Sequence, residues 1–153
     1  MYKRILIPTD GSILAENAAQ AGIILAKPLN ASVIGFHAMP AYYDLIYKID
    51  VNSPHGISED VFNRLHERMA DQYLNKIKEM AAIAGVQYDS YTLVNNSASA
   101  AIAQAAREKE CDLICIGSHG RSGVAQTFLG SVTNKLLSIC TIPILIHREP
   151  KNH

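Results

Sequence analysis

Several signatures are missing from this sequence, and each absence removes a class of function. There is no surplus of charge: Lys plus Arg and Asp plus Glu each total 14. The chain therefore lacks the basic surface needed to coat nucleic acid or to bind an acidic membrane. There is no long hydrophobic run at the start. Met1-Tyr2-Lys3-Arg4 gives way at once to Ile5-Leu6-Ile7 and then Pro8, a stretch far too short for a signal peptide or a membrane span. A cytoplasmic location is expected. Cysteine is scarce, with Cys111, Cys115 and Cys140 only, and an odd number without a secretion signal suits a reducing compartment. Cys111 and Cys115 fall in an apparent strand, roughly 13 Å apart at strand rise. That is too far for a disulfide or for shared metal ligation, and all three cysteines are read as small buried hydrophobes. His55, His66, His147 and His153 show no metal-ligand spacing.

Familiar site signatures are absent too. No G-x4-G-K-[ST] occurs, so there is no P-loop lysine. No G-x-G-x-x-G follows the first strand, which disfavours a dinucleotide-binding enzyme. The nucleophile elbow G-x-S-x-G is also missing.

What is present is globular. The 153 residues are 48% hydrophobic and 18% charged, which fits one domain with one core. Ile5 to Ile7 is a short continuous apolar run, as expected for a strand covered on both faces. Asp10-Gly11-Ser12 breaks it, and Ser12 can cap an Ala-rich helix from about 13 to 26, ended by Pro28 and Asn30. Ser32 to Ala38 reads as a second strand, followed by an irregular stretch from Met39 to about Gly56 that is long for a compact domain. Phe62, Leu65, Met69, Tyr73, Ile77, Met80 and Ala84 then form one helical stripe, with Gly85 placed for a left-handed C-cap. Val86 to Val94 alternates as a half-exposed edge strand does. An Ala-rich helix over 97–109, a central strand over 113–116, a helix over 131–140 and a strand over 143–147 complete the order. Pro143 suits the start of an edge strand. Five strands alternating with four helices predict an α/β fold, a doubly wound parallel sheet with helices on both faces. No repeat or linker interrupts it.

Ligands of such sheets sit beyond the C-terminal strand ends, where the strand order reverses. Two loops there carry suitable residues: Pro8-Thr9-Asp10-Gly11-Ser12 and Gly117-Ser118-His119-Gly120. The second continues through Arg121-Ser122-Gly123 to Gly130-Ser131, giving G-x2-G-x9-G-S. Gly117 and Gly120 permit positive φ and leave no Cβ in the way of a phosphate. The nine intervening residues can span up to roughly 30 Å and return. Gly130 and Ser131 then offer backbone N–H groups at a helix N-terminus, where anions bind. Asp10 could instead satisfy amides of its own helix. His119 is more simply a surface loop residue than a chemical one, and His37 a packed or hydrogen-bonded one. Tyr42, Tyr43 and Tyr47 could cover a bound base, or equally form an interface or a loose loop.

This pattern resembles the nucleotide-binding signature of the universal stress protein family, in its ATP-binding branch. Ile5-Leu6-Ile7-Pro8-Thr9-Asp10-Gly11-Ser12 resembles the family's first strand and turn, and Gly130-Ser131-Val132-Thr133 with Pro143-Ile144-Leu145-Ile146 its ending. The resemblance implies a sheet order of 3-2-1-4-5. It implies that Asp10, beside Pro8 and Thr9, contacts the adenosine portion, with Ala38 against the adenine and Ile116 closing the purine pocket. Gly117, Gly120, Gly130, Ser131 and Val132 would hold ribose and phosphates, with Ser118 in the same loop. It also implies a homodimer or larger homo-oligomer through the last strand, where Ile144, Leu145 and Ile146 would supply the edge. Ala38 is smaller than the branched residue common at that position, and the segment from Met39 to Gly56 is of a kind that varies among relatives.

ATP carries three to four negative charges, against about half a positive one at a helix N-terminus. Arg121 adds one, and the remainder points to an accompanying Mg²⁺ that leans on the phosphates. No convincing nucleophile and cation pair for phosphoryl transfer is visible. The expected role is a nucleotide-binding regulator of a stress response. A slow ATPase with the same pocket and a nucleotide-free dimeric scaffold are the alternatives.

Overall fold

The computed structural model describes residues 1–42, 56–120 and 128–149. Within them the chain runs β1 (Arg4–Pro8), α1 (Ile13–Leu29), β2 (Ser32–Met39), α2 (Glu59–Ala84), β3 (Tyr88–Val94), α3 (Ala98–Glu108), β4 (Leu113–Gly117), α4 (Ser131–Ile139) and β5 (Ile144–His147). The five strands form one parallel sheet in the order β3-β2-β1-β4-β5, as expected.

Alternation along the strands explains the two layers. On β1, Ile5 and Ile7 join Ile23 of α1 and Ile77 of α2 in one core. Leu6 faces the opposite way, into a core with Ile102 of α3 and Leu136 of α4. β4 repeats the split, with Cys115 in the first layer and Ile114 and Ile116 in the second. A period of two puts neighbours on opposite faces, so the part of a strand covered on both must be apolar, as β4 and β1 after Arg4 are.

Helix ends follow local chemistry. The hydroxyls of Ser12, Ser58 and Ser97 accept from the amides of Ala15, Val61 and Ala100 at 3.2, 3.4 and 3.3 Å. Gly85 takes the expected left-handed cap with φ 67°. Two details differ from expectation. Pro28 does not end α1 but lies within its last turn, and Asn30 ends the helix at φ 52°, its amide turned back to Lys27 O. β3 is indeed an edge strand, but its alternation is not core against solvent. Tyr88 packs on one core and Tyr91 and Leu93 on the other, because α2 and α3 reach both sides. The Tyr88 hydroxyl donates to Leu74 O at 2.9 Å, and burial, followed by the charge of Asp89, pushes this phenol up to about 12.

Cys111 and Cys115 are buried, whereas Cys140 is partly exposed. Burial pushes both buried thiols up to about 11, so on the order of 0.1% would be thiolate at pH 8. Ellman's reagent at pH 8 is therefore expected to titrate Cys140 alone in the native protein, and all three thiols in denaturant. Rapid reaction of three thiols without denaturant would contradict this packing.

Candidate functional site

The turn after β1 is built by its own side chains. Thr9 Oγ1 accepts from Gly11 N at 3.1 Å and Asp10 Oδ1 from Ser12 N at 3.0 Å, the local bonding that favours Thr and Asp at turns. Thr9 N donates to Phe36 O at 2.8 Å, which holds this turn against β2. His37 Nδ1 lies 2.8 Å from Thr9 O. A carbonyl can only accept, so Nδ1 carries the proton. The His37 ring also meets Tyr73 edge-on at 5.3 Å between centroids. Burial, followed by the nearby His37, holds His66 below the usual histidine range.

The turn after β4 is clamped from both sides. Ser118 N donates to His147 O at 2.9 Å, Gly130 N donates to Ser118 O at 2.7 Å, and the Thr133 hydroxyl donates to Gly117 O at 3.0 Å. These bonds fasten the N-terminus of α4 to the end of β4. The glycines are required here by space. Neither Gly117 nor Gly120 has a positive φ, contrary to expectation. A Cβ on Gly117 would stand 3.3 Å from the backbone oxygens of His119 and Leu14, and one on Gly130 would stand 3.2 Å from His119 Cα and Ser118 O. A Cβ on Gly120 would fall 2.7 Å from Asp10 Oδ2. Side chains at these three positions would crowd the loop between helix and turn.

Between the two turns lies an open cleft. Of the residues singled out from the sequence, Pro8, Thr9, Asp10, Ala38, Ile116, Gly117, Gly120 and Val132 line it. Ser118, Gly130 and Ser131 do not. Ser118 is buried, with its amide, carbonyl and hydroxyl engaged by His147, Gly130 and His119. The Gly130 amide is not free, as had been expected, since Ser118 O already accepts from it. The first bond within α4 is Asn134 N to Gly130 O, so the amides of Ser131, Val132 and Thr133 have no acceptor inside the helix, and no side chain caps it. Asp10 holds its own turn and also borders the cleft. Arg121, Tyr43, Tyr47 and most of the segment from Met39 to Gly56 lie outside the described residues.

Sequence reasoning missed part of the lining. Ala98 and Ile102 of α3, Phe36 of β2, Thr133 of α4, His37 and His119 all border the cleft. The first three read as ordinary core residues. Only their positions near the N-terminus of α3 and the C-terminus of β2, the ends that face a switch point, could have marked them. The lining joins apolar residues of one core, Phe36, Ala38, Ile102, Ile116 and Val132, to the polar Asp10 and His119, beside the open first turn of α4. Such a site suits a ligand with a flat apolar part joined to an anionic one.

The sequence profile of the Universal stress protein family matches residues 1–148. The universal stress protein MJ0531 of Methanocaldococcus jannaschii is 32% identical over 155 residues, covering 99% of this chain and 85% of its own. The universal stress protein YxiE of Bacillus subtilis is 31% identical, covering 97% and 100%. Among solved structures, the hypothetical protein MJ0577 superposes with a TM-score of 0.76 at 24% identity, covering 99% of each chain. A universal stress protein in complex with cAMP gives 0.70 at 21% identity over 97% and 99%. That from Archaeoglobus fulgidus in complex with dAMP gives 0.61 at 17% over 95% and 97%. The structural likenesses show a shared fold, and the sequence matches show kinship: the chain belongs to the universal stress protein family.

Proposed function

We propose that this protein binds an adenine nucleotide, ATP, in the cleft between the β1 and β4 turns, and that the bound state regulates a stress response through partner contacts. One observation carries the reading. A cleft lies at the sheet's switch point, its lining part apolar and part polar, and beside it α4 presents first-turn amides without internal acceptors. The complexes of family members with cAMP and dAMP support an adenine nucleotide as the ligand class. The base would lie against Ala38 and Ile116, the sugar beside Asp10, and the phosphates toward Gly120 and the start of α4. Among the described residues no three His, Cys, Asp or Glu side chains converge on a metal position. An accompanying Mg²⁺ would thus be held by the phosphates and water. A second copy of the chain would pair along β5, the sheet edge where Leu145 is 41% exposed.

Thermal shift and calorimetric titration test this directly. At a hundredfold excess over its Kd, ATP should stabilise the fold by about 2.7 kcal/mol, or roughly 5–10 °C for a domain of this size. Adenosine alone should bind at least about tenfold more weakly. No shift with millimolar ATP and Mg²⁺, and no nucleotide released on denaturing the freshly purified protein, would reject the proposal.

A further inference from the structure

Side chains from β2 and α2 grip the turn after β1, and His37 of β2 makes one of the grips. Phe36 and Ala38 belong to the core layer of α3 and α4, so His37 between them faces the layer of α2. Its Nδ1 donates to Thr9 O at 2.8 Å, while Thr9 N donates to Phe36 O. Both backbone groups of the buried Thr9 are thereby fixed by β2. The His37 ring also meets Tyr73 of α2 edge-on. Tyr73 in turn closes over Gly11, where φ is 79° and where a Cβ would strike its ring. Asp10 lies between these two held residues and borders the cleft. β1 ends at Pro8, so where Asp10 stands depends on a side-chain bond and a ring contact beyond the strand.

We propose that His37 is a positioning residue for the nucleotide, holding Thr9 and Asp10 in their binding arrangement, and that its uptake of a proton tightens the binding of an anionic ligand. The inference rests on the nucleotide-binding reading above. Nδ1 already carries a proton in its bond to Thr9 O, so the next one goes to Nε2. The bond therefore survives protonation and becomes charge-assisted, which strengthens it. The added positive charge belongs to a residue that borders the cleft, and it attracts an anion seated there. By linkage, affinity for an anion rises as pH falls and the ring charges, and the gain is lost as pH rises. The titratable groups around the ring are Asp10 of the held turn, Tyr73 and His66 of α2, and His119 elsewhere on the cleft wall. Its register partner on β3 is Thr92, which does not titrate. Burial, followed by His37, holds His66 low, so a charge on one ring opposes a charge on the other.

Two variants separate the hydrogen bond from the charge. His37→Ala removes both, whereas His37→Asn puts an amide nitrogen in the place of Nδ1 and cannot take up a proton. At about pH 8, where histidine is mostly neutral, His37→Ala should lose about tenfold in ATP affinity, and His37→Asn should recover most of it. The terminal phosphate of ATP titrates near the same range, so the acid effect is read as the ratio of wild-type to His37→Asn affinity, from which that shared part cancels. The ratio should lie near one at about pH 8 and reach about threefold or more at about pH 5.5. With uncharged adenosine it should stay near one at both. Melting curves at each pH show that the variants are folded, and His37→Asn carries the charge test even if His37→Ala is not. A ratio for ATP that does not move with pH would overturn the proposal and leave the nucleotide site standing, and so would equal ATP affinity in all three proteins. A wild-type protein that binds neither ATP nor adenosine at either pH would overturn both.

Discussion

Gly130→Asp is expected to weaken ATP binding by about a hundredfold or more while leaving the protein folded, with adenosine affinity changed by no more than about threefold. Two effects act together. Gly130 is the N-cap of α4, in an extended conformation at φ −61° and ψ 159° that any residue adopts. An aspartate there would accept from first-turn amides, which are the ones left for a phosphate. It would also place a full negative charge beside the polyphosphate. At about 6 Å and an effective dielectric near 20, each like-charge pair costs roughly 3 kcal/mol. Stability should change little. An aspartate is only a few tenths of a kcal/mol better than glycine as a cap, a gain set against crowding of its Cβ at 3.2 Å from His119 Cα and Ser118 O. Gly130→Asn divides the causes, because it competes for the same amides without the charge and should lose only about tenfold. The measurement is calorimetric titration beside a melting curve. If the aspartate variant is folded and binds ATP as wild type does, the phosphates do not lie at the start of α4.

Much of the fold was legible because the strongest signals in the sequence are local. Ile5 to Ile7 and Leu113 to Ile116 are apolar without interruption, and only a central strand with both faces covered needs that. The stripe from Phe62 to Ala84, closed by Gly85, specifies a long helix by period and cap alone. Less legible were features decided by tertiary contact. Pro28 looks like a stop, yet the last turn of α1 absorbs it, because the left-handed Asn30 supplies the real end. β3 is a half-exposed edge strand as it looked, but its tyrosines divide between two cores rather than sharing one.

The site divides along the same line. The glycine spacing marked the right loop, and eight of the positions singled out do line one cleft. The reason assigned to the glycines was incomplete. Gly117 and Gly130 make room for the backbone of His119, and Gly120 for the carboxylate of Asp10. No reading of spacing alone could show that the Gly130 amide is already taken by Ser118 O, 12 residues earlier in the chain. His119 looked like loop surface, yet it is half-buried, with Nδ1 held against the Ser118 hydroxyl.

Phe36→Ala is expected to cost about 3–5 kcal/mol, a large share of the 5–15 kcal/mol typical of a folded domain, and to lower the melting temperature by roughly 6–20 °C. Phe36 is 0% exposed and stands on β2, between β1 and β3, in the layer formed with α3 and α4. Its ring packs near that of Tyr91, 6.2 Å between centroids, and borders the cleft. The void left by truncation would open into that cleft, so water can enter and the cost of an empty cavity is partly spared. The walls it would wet are apolar, Ile102 and Ile116 among them, and exposing them forfeits about 25 cal/mol for each Å². The second effect keeps the loss large. Urea unfolding should show a lower midpoint with an unchanged slope, and a loss below about 1 kcal/mol would mean that this ring is not the core residue it looks to be. ATP affinity should fall as well, because the same ring floors the apolar end. Stability and binding are therefore coupled at Phe36 and separable at Gly130. That contrast is what a ligand seated between a packed sheet face and an open helix end requires: its base rests on the core, and its charge rests on amides the core does not need.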